Sequence, residues 1–336
     1  MPLPLSILDQ SPVVAGATPR NAILATIELA RRADELGYTR YWLAEHHASR
    51  ALADASPEVL LARLTAETVR IRLGTGGIML PHYSAFKVAE TFCMLAALAP
   101  GRIDLGVGRA PGGSGLVAAA LETRDPAEFP AQIVAMTDYL EGTTPESSAF
   151  ASLAAMPAGA NAPEVWILGS SEYGARLAAA MGLPYAYAHF IGGEAPEIAR
   201  SYRQNFRPNA RMLQPRCIVA VAAIVAPTDG EAEELGLPLR LWRTRISRGQ
   251  GGPIPSLAEA RAHPWTPLER YEIERSRRLI AGSPAKVRAG IEKIVEAYGA
   301  DEMMIVTITP DYSTRLRSYE LLAEAFALTS EVVFER

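Results

Sequence analysis

Cysteine is nearly absent from this chain of 336 residues. The two cysteines, Cys93 and Cys217, lie in apolar stretches and at no spacing typical of metal ligands. The pattern therefore speaks against a disulfide scaffold and against a cysteine metal site. We expect buried, reduced thiols in a cytoplasmic protein.

Long apolar runs and blocks of charge are also missing. The longest apolar run, Cys217–Ala226, is well short of the roughly 20 residues that a membrane-spanning helix needs. The N-terminus lacks the charged and apolar regions of a secretory leader. The formal net charge is −4, and no basic run occurs. The sequence therefore predicts no nucleic-acid or membrane partner and favours small-molecule ligands.

Short apolar runs alternate with amphipathic helical patterns along the whole chain. Strands that are apolar on both faces, each followed by a helix, are typical of a parallel sheet covered by helices. Eight such units predict a (β/α)8 TIM barrel that forms a single domain over 1–336. A doubly wound open sheet is the alternative, but no G-x-G-x-x-G fingerprint follows the first strand. The predicted strands are 5–9, 40–44, 71–80, 102–108, 165–169, 185–190, 217–225 and 302–308.

Capping residues mark several helix ends. The first helical pattern stops at Gly37, while Ser56-Pro57 and Ser283-Pro284 each provide an N-cap followed by proline at the first helical position. Two segments rich in Gly, Pro, Ser and Ala, 142–163 and 246–267, interrupt the regular pattern. We predict surface insertions there, the second a possible flap over the mouth of the barrel.

The second predicted strand ends in Glu45-His46-His47. In a βα barrel, residues at the carboxyl ends of the strands face the active site, and imidazole can carry a proton near neutral pH. Structural histidines bonded to nearby carbonyls are the alternative. Because adjacent strand residues point to opposite faces, the two histidines should divide their roles, and we predict no metal site.

Glycines interrupt the third predicted strand at Gly74, Gly76 and Gly77. Glycine weakens a strand, so such positions often mark a bulge or the close approach of a ligand to the backbone. A corner of the barrel would explain them equally well.

An anion site is suggested by the ends of the fourth and fifth strands. The loop 106–115 fits neither a P-loop nor a dinucleotide fingerprint, and it carries one cation, Arg109. Ser170 and Ser171 open a helical pattern, where free backbone N–H groups attract anions. Arginine pairs with phosphate in bidentate fashion, so we predict a phosphate site, although a surface arginine and a simple cap are the alternatives.

Several aromatic residues could line an apolar pocket or belong to the core. For Tyr41 and Trp42 the core is the preferred interpretation. His82, just past the third strand, is either a second active-site imidazole or a loop hydrogen-bonding group. The remaining candidates are Tyr83, Tyr187, His189 and Phe190.

Taken together and in order, these motifs resemble those of the bacterial luciferase-like flavin-dependent monooxygenases, in particular the FMN-dependent group 1 type. The resemblance extends over almost the whole chain. It rests on LSILDQSPV, RYWLAEHH, RIRLGTGGIMLPHYS, PGRIDLGVGRAPGG, VWILGSSEYGARLAAAMGLPYAYAHF and SPAKVRAGIEKIVEAYGADEMMIVTIT.

The resemblance implies a barrel that binds reduced FMN at its C-terminal mouth, with His46 beside Glu45 as the catalytic acid–base residue. Gly76-Gly77 matches the position of a non-prolyl cis peptide against the flavin ring. The residues that match the flavin phosphate site are Arg109, Ser170, Ser171 and Tyr173.

The same resemblance implies O2-dependent oxygenation of a small organic substrate, a separate NAD(P)H:flavin reductase that supplies FMNH2, and a homodimer. An F420-dependent hydride-transfer enzyme and a flavin-binding protein without turnover are the alternatives. The absence of an evident basic cluster for the F420 tail favours FMN. Gly108 and Ser170 replace the cysteine and glutamate of light-emitting relatives, so light emission is not expected.

Overall fold

The computed structural model describes residues 3–109, 112–159, 161–276 and 278–329. All strand pairings within one sheet are parallel. The strands are β1 (Leu5–Asp9), β2 (Arg40–Leu43), β3 (Arg72–Met79), β4 (Ile103–Gly108), β5 (Glu164–Gly169), β6 (Tyr185–Ala188), β7 (Cys217–Val225), β8 (Leu279–Gly282) and β9 (Glu302–Val306).

Helices follow the strands and cover the outside of the sheet. The longer helices are α1 (Pro19–Leu36), α2 (Pro57–Thr65), α3 (Ala85–Leu98), α5 (Phe129–Glu141), α6 (Glu172–Met181), α8 (Pro196–Asn205), α9 (Asp229–Ser247), α11 (Pro267–Ser276), α12 (Pro284–Tyr298) and α13 (Tyr312–Phe326). The shorter ones are α4 (Gly115–Ala120), α7 (His189–Gly192) and α10 (Leu257–Ala262), with 3₁₀ turns at Leu80–His82 and Pro126–Glu128.

Eight of these strands close into the predicted barrel. β1 to β7 pair in sequence, and β9 pairs with both β7 and β1, which joins the two edges. The predicted (β/α)8 architecture is therefore confirmed. The strand β8 was not predicted, and it pairs only with the last four residues of β7, outside the closed barrel. The sixth strand is shorter than predicted, because α7 begins at His189.

The core has two layers because successive side chains of a strand point to opposite faces. Ile7 and Tyr41 face the helices, whereas Leu8 and Trp42 face the interior of the barrel. The inner layer extends to the C-terminal mouth and includes Ile254 from the loop after α9. The two cysteines are buried and free, in agreement with the prediction.

The N-terminal end of the barrel holds buried charges. Arg40 Nη1 donates to Asp104 Oδ2 at 2.8 Å and Arg40 Nε to Glu302 Oε2 at 3.0 Å. Arg72 Nε donates to Asp104 Oδ1 at 3.0 Å, and Trp42 Nε1 donates to Asp104 Oδ2 at 2.9 Å. This network lies on the side away from the carboxyl ends of the strands, where buried residues stabilise the fold.

The predicted caps are found at the expected positions. The helix α1 ends at Gly37 with a positive φ of 86°. Ser56 and Ser283 precede their helices, but neither hydroxyl makes a capping hydrogen bond, so the proline at the first helical position defines these helix starts.

The two predicted insertions differ in structure. The described part of 142–163 has turns and mostly exposed side chains. The segment 246–267 includes α10 and is anchored in its middle, where Ile254 N donates to Val13 O and Ala15 N to Ile254 O, both at 2.8 Å. No helix in the described ranges is long and apolar enough to cross a membrane.

Candidate active site

Glu45 is the centre of a hydrogen-bond network at the end of β2. Its carboxylate is buried and accepts a bond from Met79 N at 3.0 Å and from the Tyr83 hydroxyl at 3.0 Å. The same oxygen that binds Tyr83 lies 2.6 Å from His47 Nε2. Three neighbouring segments thus hold this carboxylate in one orientation, in an environment that excludes bulk water.

The two histidines have different environments, as predicted. His46 N donates to Asp54 O at 2.9 Å, but His46 Nδ1 is buried and has no partner among the described residues. Burial lowers the pKa of His46 to about 4, an effect that the Ala44 backbone partly offsets. His46 is therefore neutral at physiological pH, and its buried Nδ1 lacks a hydrogen-bond partner within the described ranges.

A candidate metal-ligand set was not apparent in the sequence, because its members are not adjacent along the chain. Glu45, His47 and His82 offer ligand atoms that all lie within 4.8 Å of one another. The rings of His47 and His82 meet edge to face at 5.5 Å. Alternate residues of β2 and its extension point the same way, so Glu45 and His47, rather than His46 and His47, share a side.

Two further carboxyl groups near Glu45 were not anticipated. Asp54 is 4% exposed, and its Oδ2 has no partner among the described residues. Burial raises the pKa of Asp54 to about 7, and the nearby charges of Asp9, Glu58 and Glu45 add to this. Burial also raises the pKa of Glu58. The only signal in the sequence is their position around the start of α2, which also fits capping.

The glycines of β3 have a structural explanation. The pairing of β3 with β4 shifts register between Gly76 and Ile78, and the peptide bond Gly76–Gly77 is cis. A β-carbon on Gly77 would lie 2.7 Å from Gly106 O, and one on Gly76 would lie 2.4 Å from Leu8 Cδ1. The backbone of β4 therefore requires glycine at position 77, whereas at Gly76 the nearest atom is the end of the Leu8 side chain. A contact of either glycine with a cofactor stays a prediction.

The predicted phosphate residues come from two strand ends. Arg109 follows β4, and its guanidinium carbon lies 4.0 Å from the ring centre of Tyr173 in the first turn of α6. Ser171 is the N-cap of α6, and its side chain makes no capping hydrogen bond. Apart from its contact with the Tyr173 ring, Arg109 forms no ion pair or hydrogen bond within the described part of the chain, and the Ser171 hydroxyl does not cap α6. An exposed cation thus lies beside free N–H groups of a helix.

The aromatic candidates separate into core and mouth residues. Tyr41 and Trp42 are fully buried, which confirms the preferred interpretation. Tyr187 is also buried, stacks on Tyr298 and donates to Gly193 O at 2.9 Å. Tyr83 and Phe190 are part-exposed near the mouth, and Phe190 packs against the inner cluster.

A cavity of about 790 Å³ lies between α9, α11 and β8. Its cations were not recognised as a group in the sequence, because they come from separate segments. FMN was favoured over F420 because the sequence shows no evident basic cluster. The folded chain does bring several basic residues together, so this reason does not hold. The basic residues that line the cavity are Arg240, Arg243, Arg270, Arg278 and Lys286.

Comparisons with known proteins agree on one family. The family profile described as luciferase-like monooxygenase matches residues 4–302. The chain is 37% identical to the luciferase-like monooxygenase of Escherichia coli strain K12, over 94% of this chain and 95% of that protein. It is 35% identical to the N-acetyl-S-alkylcysteine monooxygenase of Bacillus subtilis strain 168, over 96% of this chain and 97% of that protein.

Among solved structures, the crystal structure of apo-MsnO8 superimposes on this chain with a TM-score of 0.90. The two sequences are 41% identical, and the match covers 97% of this chain and 98% of MsnO8.

Proposed function

The chain belongs to the luciferase-like monooxygenase family, and from this premise we propose that it is a flavin-dependent monooxygenase that uses reduced FMN and O2 to oxidise a small organic substrate. Bound reduced flavin would supply the electrons that activate O2. A separate NAD(P)H:flavin reductase would supply the reduced flavin, and the enzyme would act as a homodimer.

The observation that carries the proposal is the exposed guanidinium of Arg109 beside the first turn of α6. A phosphate needs cationic and N–H donors that are not already neutralised, and Arg109 and the first turn of α6 offer both. Tyr173 orients the guanidinium through its ring face. We propose that these residues, with Ser170 and Ser171, hold the FMN phosphate.

The residues at the end of β2 would control protons and water. In the proposal, His46 accepts or donates a hydrogen bond through its buried Nδ1 while neutral, and Glu45 fixes the neighbouring backbone at Met79. The backbone of Gly76-Gly77 would contact the flavin. We further propose that 246–267 acts as a flap over the mouth, hinged about its anchor at Ile254.

Arg109→Met should weaken the binding of FMN by about 10- to 100-fold, because it removes a charge-assisted hydrogen bond worth about 1.5–3 kcal/mol. Riboflavin lacks the phosphate, so its affinity should not change. Titration of each oxidised flavin, followed by the quenching of its fluorescence, measures both affinities.

Arg176→Met is a matched control, since Arg176 lies on the exposed side of α6 in an ion pair with Glu172. It should leave both affinities unchanged. Equal binding of FMN to the Arg109→Met variant and to the unaltered protein would contradict the phosphate assignment.

The second candidate is an F420-dependent hydride-transfer enzyme. The basic cavity favours it, since guanidiniums near the mouth could accept the anionic tail of F420. Titration with F420 alongside FMN separates the two: the proposal expects FMN to bind more tightly. Tight FMN binding without any consumption of O2 by the reduced complex would instead identify a flavin-binding protein without turnover.

A further inference from the structure

The cavity between α9, α11 and β8 has the properties of a ligand site. Its volume of about 790 Å³ is typical of small-molecule pockets. Trp265, Leu237 and Ile273 give part of its wall an apolar character. Such a combination of apolar wall and convergent charge is expected for an amphipathic ligand.

Arg243 is the most unusual residue of the cavity. It is part-buried, yet no hydrogen bond or ion pair engages its guanidinium within the described ranges. Burial lowers its pKa to about 10, and the neighbouring guanidiniums of Arg278 and Arg240 lower it further. Its guanidinium is part-buried in the cavity and has no protein anion beside it among the described residues, so it can accept an anionic ligand without breaking an existing ion pair.

The carboxylates of the cavity do not neutralise Arg243. Glu233 forms an ion pair with Arg240 and lies 3.9 Å from Lys286 Nζ. Glu272 and Glu274 are exposed, and neither contributes to the pKa shift of Arg243. None of these carboxylates therefore pairs with Arg243.

The cavity adjoins the mouth of the barrel. Trp242, next to Arg243, and Leu279, next to Arg278, both pack against the inner cluster that contains Leu8 and Ile254. Burial lowers the pKa of His189, which follows β6; the charge of Glu194 opposes this shift, and that of Arg278 adds to it. A ligand held by these two arginines would therefore extend toward the strand ends.

We propose that this cavity binds the carboxylate of a small organic acid, with Arg243 and Arg278 as its counter-ions and the apolar part of the ligand directed to the barrel mouth. Arginine forks match a carboxylate in bidentate fashion, and the pairing would remove the like-charge repulsion. That this acid is the substrate rests on the proposed function; the binding site does not.

Octanoate and octan-1-ol are suitable probes, since they share an apolar chain and differ in charge. Isothermal titration calorimetry of the flavin-free protein should show octanoate binding that weakens at least about 10-fold in Arg243→Met, the loss of one charge-assisted contact. Binding of octan-1-ol should be unaffected. Arg261→Met, on the exposed face of α10 in an ion pair with Glu234, is the matched control and should bind octanoate normally.

Unchanged octanoate affinity in a folded Arg243→Met variant would overturn the inference. So would a loss that appears equally in Arg109→Met, because the anion would then occupy the predicted phosphate site. If Arg243→Met does not fold, Arg278→Gln at an exposed position gives the same test. FMN titration of the same variants keeps the two proposals apart: Arg243→Met should bind FMN normally, whichever way the octanoate result falls.

Discussion

Replacing Arg40 by methionine should lower the free energy of unfolding by about 3–5 kcal/mol, the usual cost of removing one partner from a buried ion network. Arg40 is 6% exposed and forms ion pairs with Asp104, Glu302 and, at 3.3 Å, Glu164. Methionine keeps most of the side-chain volume but leaves these carboxylates without their shared cation. Urea unfolding followed by circular dichroism measures the change.

The pH dependence of this loss provides a second test. Burial raises the pKa of Glu302 even though Arg40 counteracts it, so without Arg40 this carboxyl should retain its proton to a higher pH. Protonation removes the uncompensated charge. The destabilisation should therefore be largest near neutral pH and smaller in mild acid.

Arg63→Met is the control for Arg40, because Arg63 is exposed and its pair with Glu67 is an i,i+4 pair on the surface of α2. Its effect should stay within about 0.5 kcal/mol. A loss below about 1 kcal/mol for Arg40→Met would mean that water or a side-chain rearrangement satisfies the carboxylates.

The barrel could be predicted because each strand is a local apolar run and each helix has a local period. β8 escaped prediction for the same reason: the four residues Leu279–Gly282 follow a polar, arginine-rich stretch and are paired only through the end of β7. A strand that is defined by its neighbour, rather than by its own pattern, gives no local signal.

The site was predictable only in its position. The rule that strand ends face the site selected Glu45-His46-His47, Arg109 and Ser170-Ser171 as candidates, and these stay predictions. The structure brings Arg109 to Tyr173. The partners of Glu45 could not be derived, because Tyr83 comes from the loop after β3. The charged cavity combines residues from α9 with Arg278, more than thirty positions away along the chain. Such contacts depend on how the loops fold back.

The environment of Asp54 could not be predicted from the local sequence pattern either, because its position before α2 fits an ordinary turn. Its Oδ1 accepts a hydrogen bond from Ser56 N at 3.2 Å, as in many turns, whereas the second oxygen is buried and unpartnered. Burial, and to a smaller extent the charges of Asp9, Glu58 and Glu45, therefore disfavour the charged form and raise the pKa of Asp54 to about 7.

Asp54→Asn should raise the free energy of unfolding at pH 8 by about 2–4 kcal/mol, since asparagine keeps the acceptor for Ser56 and removes the buried charge. The sign follows from linkage. The folded pKa of about 7 lies above the ordinary aspartate value of 3.8, so the unaltered protein loses stability as pH rises from about 4 to 7. The gain of the variant should be absent below pH 4, grow across that window and level off above it.

Urea midpoints of the two proteins between pH 4 and 8 measure this difference, provided the slope with urea is unchanged. Asp125→Asn is a matched control, because Asp125 also accepts a backbone bond two residues on, from Ala127 N, but lies exposed. It should show no rise in stability across this window. A pH-independent effect of Asp54→Asn would mean that Asp54 is ionised in the folded protein, and its second oxygen would then require a bound cation or a hydrogen bond from a protonated Glu58. Since these groups surround Glu45, the same titration also decides whether the carboxyl cluster can store a proton beside the candidate catalytic histidine.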